Sequence, residues 1–142
     1  MITVADARVL STAAPEAFFA RWADMATWPE WNADTEWVRL DGPFVAGAKG
    51  VLKPKGGPKV PFTVTRLDPH TFVDESRLLG ARLTFAHAVA TDQTGRTEVT
   101  VSVTLHGPLA RLWMQILGKG IRATAQRDLD ALTEVAERVG VA

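Results

Sequence analysis

An α+β fold, with a curved antiparallel sheet of about seven strands laid along one long C-terminal helix, is what this chain of 142 residues predicts. Three observations carry that expectation. In Thr97-Glu98-Val99-Thr100-Val101-Ser102-Val103-Thr104-Leu105 the apolar and polar residues alternate, the period-two pattern of a strand with one face against a core. Gly107-Pro108 then breaks the strand and opens a helix to about Val139, with Pro at the first position, where a missing N–H costs nothing. A helix of about thirty residues is about 45 Å long, and only the strands upstream can cover its apolar stripe. Those strands are joined by short, turn-rich connections, which favours a meander over βαβ crossovers.

Residues 2–10 read as a first strand. Ala14-Pro15-Glu16 opens a helix whose buried side is Ala17, Phe18, Phe19, Trp22 and Ala23. Thr27-Trp28-Pro29-Glu30 reads as a second, short helix, with Thr27 as cap and Glu30 completing a capping box. Further strands are expected over 36–40, 50–53, 60–67, 72–78 and 82–90, separated by Asp41-Gly42-Pro43, the turn from Pro54 to Pro58, Asp68-Pro69-His70 and Gly80. Asp92-Gln93-Thr94-Gly95 closes a hairpin into the strand described first. With no repeat and no linker, residues 1–142 read as one domain.

Composition narrows the function classes. Sixteen basic residues offset sixteen acidic ones, so no net field favours nucleic acid. The chain has no cysteine, which excludes disulfides, thiolate catalysis and zinc–sulfur sites. His70, His87 and His106 are scattered without metal-ligand spacing, so no metal is expected, and no cofactor fingerprint is present. Gly56-Gly57 between Lys55 and Lys59 lacks the phosphate-loop spacing and reads as an exposed turn. No apolar run reaches the roughly 18 residues of a membrane span and nothing resembles a leader, so a cytoplasmic protein without stable membrane insertion is expected.

A hollow is expected where the long helix crosses the strands. Leu109, Leu112, Trp113, Ile116 and Leu117 lie before its middle, and Leu129, Leu132, Val135, Ala136 and Val139 after it. The middle is small: Gly118, Gly120, Ala123, Thr124 and Ala125. The opposing reading is that Phe62, Phe72 and Phe85 reach across and fill the gap, or that the glycines only kink the helix. His87 shares an apolar face with Leu83, Phe85 and Val89 and must be hydrogen-bonded or face water or a ligand. With Glu75 or Asp74 it would make a base and its orienting carboxylate; the alternative is a structural pair or a surface bridge to Arg77 or Arg66. Either Glu75 and Arg77 or Asp74 and Ser76 point inward, and Arg66 continues the Val60, Phe62, Val64 face. Trp22, Trp28 and Trp31 either wall the mouth of the hollow and stack on a flat ligand or anchor two short helices.

These elements and residues together resemble the polyketide cyclase/dehydrase and lipid-transport family of the START-like, birch-pollen-allergen-like helix-grip superfamily. The resemblance rests on Pro15-Glu16-Ala17-Phe18, Trp28-Pro29-Glu30-Trp31, Leu40-Asp41-Gly42-Pro43 with Gly47, and the run from Phe62 to Pro69. Leu83-Thr84-Phe85-Ala86-His87, Gly95-Arg96-Thr97 and Gly107-Pro108-Leu109 complete it. It implies a helix-grip fold: seven strands gripping the C-terminal helix, two short helices between strands 1 and 2, and a cavity for a hydrophobic ligand. In the family's polyketide cyclases an Arg and a Tyr inside the cavity act on the poly-β-keto chain. This sequence has no tyrosine, so that activity does not carry over.

The expected function is binding of a small hydrophobic molecule, lipid-like or aromatic and polyketide-like, by a monomer or homodimer. The expected ligand wall is Trp22, Trp28, Trp31, Phe62, Arg66 and Phe72 from the first part of the chain. Phe85, His87, Trp113, Leu117, Gly120 and Thr124 supply the rest. One alternative is a cyclase- or dehydratase-type enzyme with His87 and Glu75 as its catalytic candidates. Another is an interaction or stress-response module with little cavity.

Overall fold

The computed structural model describes residues 1–139. Strand β1 (Ile2–Ser11) leads into helix α1 (Pro15–Ala23) and a 3₁₀ helix (Met25–Glu30). Six strands follow: β2 (Thr35–Asp41), β3 (Lys49–Pro54), β4 (Val60–Asp68), β5 (Thr71–Leu78), β6 (Ala81–Thr91) and β7 (Thr97–His106). Helix α2 (Ala110–Val139) ends the described chain. The sheet runs β1-β7-β6-β5-β4-β3-β2 and every pairing is antiparallel, so each strand pairs with its chain neighbour except β1, which returns to β7. This is the α+β architecture expected, with the helices together on the concave side.

Two local readings change at the helices. Thr27 is not a cap: the 3₁₀ helix starts two residues earlier, and the Thr27 hydroxyl donates back to the Asp24 carbonyl at 2.7 Å. Pro29, inside this helix, has no N–H to donate and breaks the ladder there, which keeps the helix short. Helix α2 begins at Ala110 rather than Pro108: the first i→i−4 bond runs from the Trp113 N–H to the Leu109 carbonyl at 3.1 Å, and the Leu109 N–H, which has no partner within the helix, donates to the Gly80 carbonyl at 2.9 Å. Gly107 makes that approach possible: its φ is +112°, and a Cβ there would sit 2.8 Å from the Gly80 oxygen.

The register decides which side chains face the helix. Phe72 stands opposite His87, Asp74 opposite Phe85 and Ser76 opposite Leu83, and β7 continues the same face with Val101, Val103 and Leu105. A β-bulge between Val64 and Arg66 interrupts β4, so Val64 pairs with Asp74 but Arg66 pairs with Val73 on the outer face. One extra residue thus reverses the alternation, and Arg66 leaves the Phe62–Val64 face that the sequence pattern assigned to it.

Phe62 lies across Gly50 of the neighbouring strand, where a Cβ would overlap the Arg39 carbonyl oxygen and come 2.5 Å from the Phe62 ring. Gly50→Ala is therefore expected to cost about 1–3 kcal/mol through forced movement of the ring and the β2–β3 pair. Urea denaturation checks this; an unchanged midpoint would show that the ring is free to move.

Helix α2 leans on the edge strand β1. The Gln126 side chain accepts from the Arg8 N–H at 3.1 Å and donates to the Arg8 carbonyl at 2.9 Å, while Arg122 Nε donates to the Val4 carbonyl at 2.8 Å. The start of the helix is pinned separately, by Trp113 Nε1 donating to the Leu79 carbonyl at 2.8 Å. Two apolar clusters result. The larger joins α1, the 3₁₀ helix and the inner faces of β2–β6 to Leu129, Leu132, Val135 and Ala136 of α2. The smaller joins Val4, Leu83, Val103, Leu105 and Ala110, with Phe85, Trp113, Leu117 and Ile121 packed against it.

Candidate functional site

The three tryptophans expected either to wall a hollow or to anchor two short helices lie packed among other aromatic rings. Trp22 is fully buried, with its ring 5.7 Å from Phe72 and 5.0 Å from His87. Phe72 and His87 stack at 4.7 Å with an interplanar angle of 13°. Trp28 packs at 5.5 Å from Trp31 and 6.4 Å from Phe72, and its Nε1 donates to the Trp22 carbonyl at 3.2 Å. All three tryptophans are buried in the larger cluster, where α1 and the 3₁₀ helix meet the sheet. Phe62 and Phe72 are buried with them in the larger cluster.

His87 is 8 % exposed and Asp74 7 %. His87 Nδ1 lies 2.9 Å from the Phe72 carbonyl oxygen. A carbonyl only accepts, so Nδ1 carries the proton and Nε2 of the neutral ring keeps its lone pair. Burial pushes the ring's pKa down to about 4, against a smaller opposing effect of the Phe72 hydrogen bond. Burial also pushes the Asp74 carboxyl up to about 7, with no counter-charge or hydrogen bond acting on it. Between these values both groups are uncharged: the carboxyl is a proton donor and Nε2 an acceptor.

Of the two carboxylates offered as partners for His87, the register brings in Asp74 and turns Glu75 away. Glu75 sits on the outer face, 3.9 Å from Arg82. Arg66 also points outward, its side chain 65 % exposed and 3.0 Å from Asp68. Gly120 is exposed, with nothing within 4 Å of where its Cβ would lie. Trp113 is tied to the β5–β6 turn at the end of the grip. Phe85, Leu117 and Thr124 remain half-buried at the middle of the helix–sheet layer. Asp74 and Ser76, buried polar residues of the same wall, were not among the residues first expected to line the site. The signal for them was the pattern itself: Phe72 is the large apolar residue of β5, and its face carries Asp74 and Ser76.

Two recesses open at the rims. One, of about 440 Å³, lies along β1 and β7 beside Gln126; the other, of about 460 Å³, lies between the 3₁₀ helix, β2 and Phe44. Neither is lined by Asp74 or His87, so the open grooves and the buried polar groups are separate features. Among the described residues no group of three or more His, Asp or Glu side chains is placed to hold a metal ion, and no helix is long and apolar enough to cross a membrane.

Known structures share this fold at low sequence identity. An aromatase/cyclase, Zhui from Streptomyces sp. R1128, superposes with a TM-score of 0.74 at 16% identity, over 94% of this chain and 92% of that one. The protein TTHA0849 from Thermus thermophilus gives 0.73 at 15% identity, over 95% and 97%. Norcoclaurine synthase from Thalictrum flavum, solved with dopamine and hydroxybenzaldehyde, gives 0.69 at 11% identity, over 96% and 84%. No curated protein sequence matches the chain. The sequence matches the family described as polyketide cyclase/dehydrase and lipid transport over residues 1–137, nearly all of its length. With the seven-stranded grip and its long closing helix in place, the chain belongs to that family.

Proposed function

We propose that the protein binds a small hydrophobic molecule between the inner face of the sheet and the middle of α2. One observation carries the reading. The apolar clusters do not bury the whole inner face: Phe85, Val101, Leu117 and Ile121, packed against the smaller cluster, stay half-buried, and Val101 also lines the recess beside Gln126. Inward apolar residues that keep contact with water are the wall of a space a ligand would dry, at roughly 25 cal/mol for each Å² covered. Family membership supports the reading, as does a fold shared with a synthase solved with two small aromatic molecules. Native mass spectrometry of protein purified from cells is expected to show a hydrophobic adduct, and stripped protein to bind a solvatochromic dye. Absence of both would overturn the proposal.

A second reading, a cyclase- or dehydratase-type enzyme, is favoured by one specific observation: a buried acid, Asp74, and a buried neutral base, His87, on the same wall. Under that reading His87→Ala abolishes turnover of a bound substrate while leaving its affinity within a few-fold; parallel loss of both would mark His87 as a packing residue.

A further inference from the structure

We infer that Asp74, Ser76 and His87 form one polar station on the inner wall that selects uncharged, hydroxyl-bearing apolar molecules, phenols or alcohols, and turns away carboxylates. The inference rests on the ligand-binding reading above and names the class of molecule that the space would take.

The geometry starts with the register. Asp74 pairs with Phe85 and His87 with Phe72, so Asp74 and His87 are diagonal neighbours on one face, with Cα atoms roughly 7–8 Å apart. Ser76 lies two residues beyond Asp74 on the same face and is 8 % exposed. Asp74 sits where the two apolar clusters meet: its cross-strand partners are Val64 of the larger cluster and Phe85, packed on the smaller. It is more than nine-tenths buried, yet no group of the described residues bonds its carboxyl, and the His87 ring is bonded only through Nδ1. Neither the Asp74 oxygens nor His87 Nε2 is among the wholly buried unpaired atoms, so each keeps a trace of accessible surface, and open valences on such atoms point to water or a ligand group as the occupant.

The chemistry of the occupant follows from what the wall offers. Nε2 of a neutral His87 accepts only, and the buried Asp74 carboxyl, while protonated, donates. A hydroxyl group does both and can bridge them. A carboxylate finds no such partner. No Lys or Arg of the described chain is buried, and Arg66, Arg77 and Arg82, the cations nearest in sequence to Asp74, lie exposed. An anion would therefore be stripped of water without a counter-charge. An ammonium group could bond both residues, but only after Asp74 ionises and two charges are desolvated together.

Four probes of one ring size separate these outcomes at pH 6: naphthalene, 1-naphthol, 1-naphthoate and 1-naphthylmethylammonium, titrated by calorimetry. Naphthol is expected to bind about tenfold more tightly than naphthalene, the effect of one net buried hydrogen bond, and naphthoate more weakly than naphthalene. Asp74→Leu and His87→Phe are each expected to bring the ratio of naphthol to naphthalene affinity to about one, whatever they do to naphthalene binding itself. Asp74→Asn, which keeps a donor and an acceptor and removes a buried acid, is expected to retain it and to fold. Equal binding of naphthol and naphthalene, tightest binding of the naphthoate or the ammonium, or an advantage that survives both substitutions would overturn the inference while leaving the hydrophobic space intact. Binding of none of the four would remove the space itself, and the station with it.

Discussion

Trp22→Ala is expected to destabilise the protein by about 3–5 kcal/mol, the largest effect of any single truncation in the chain. The ring is fully buried and touches every part of the larger cluster that matters for assembly: Phe18 and Phe19 of its own helix, Phe72 on the sheet, and His87. Removing it leaves a void beneath α1 that the surrounding aromatic rings, locked against each other, fill only in part. Trp22→Phe is a milder change. Trp22 Nε1 is one of two buried donors without a partner among the described residues, the other being Trp31 Nε1, so the phenylalanine loses contact area but no hydrogen bond. About 1–2 kcal/mol is expected for it. Thermal and urea unfolding of the two variants check the order, and equal losses would mean that the indole N–H has a role the packing does not reveal. The alanine variant carries a second signature. Because burial is what depresses His87, exposing its ring through the Trp22 void is expected to move its titration, followed by proton NMR, from about 4 back toward its ordinary 6.5.

Asp74→Asn and His87→Gln are expected to give stability profiles that slope in opposite directions with pH. His87 is held at about 4 in the fold against 6.5 in a free chain. As pH falls from 6.5 to 4 the unfolded chain takes up a proton that the folded one refuses, so this group's contribution is present above 6.5 and is lost on acidification. Asp74 is held at about 7 in the fold against 3.8. Here the unfolded chain releases a proton that the folded one keeps, and stability is lost as pH rises from 3.8 to about 7. Each slope is about 1.4 kcal/mol per pH unit, and in the wild type they oppose and nearly cancel between about pH 4 and 6.5. Removing Asp74 exposes the His87 slope, so the Asn variant is weakest at the acid end; removing His87 exposes the Asp74 slope, so the Gln variant is weakest near neutrality. Unfolding free energies at about pH 4.5 and 6.5 for the three proteins test this. Parallel profiles would show that neither group is as shielded from water as its position implies.

Much of the fold was legible because period-two alternation is clean in β5, β6 and β7, and because Gly107 and the turn residues mark the breaks. What stayed hidden were features set by partners distant in sequence. The bulge at Thr65 has no signature of its own, since threonine is an ordinary strand residue, yet it reversed the side on which Arg66 emerges. The choice between Asp74 and Glu75 turned on which face of β5 met the helix, and single-strand alternation offered both. Gly120 read as space beneath the helix because small residues look alike from either side; the rotational setting of α2 comes from Gln126 and Arg122 gripping β1, contacts separated by 118 positions in sequence. His87 was legible as a buried polar residue in an apolar row. Its tautomer was not, because that depends on the Phe72 carbonyl across the strand pair.

The grip of Gln126 on Arg8 has a consequence for self-association. Its amide occupies both the N–H and the C=O of Arg8 on β1, one of the two terminal strands of the sheet, in the way an added strand would. A second chain seeking to extend the sheet there would have to displace the helix first. Polymerisation by strand addition is thus confined to β2, where a register shift between Thr35 and Trp37 and the charged pair Glu36–Lys53 roughen the template.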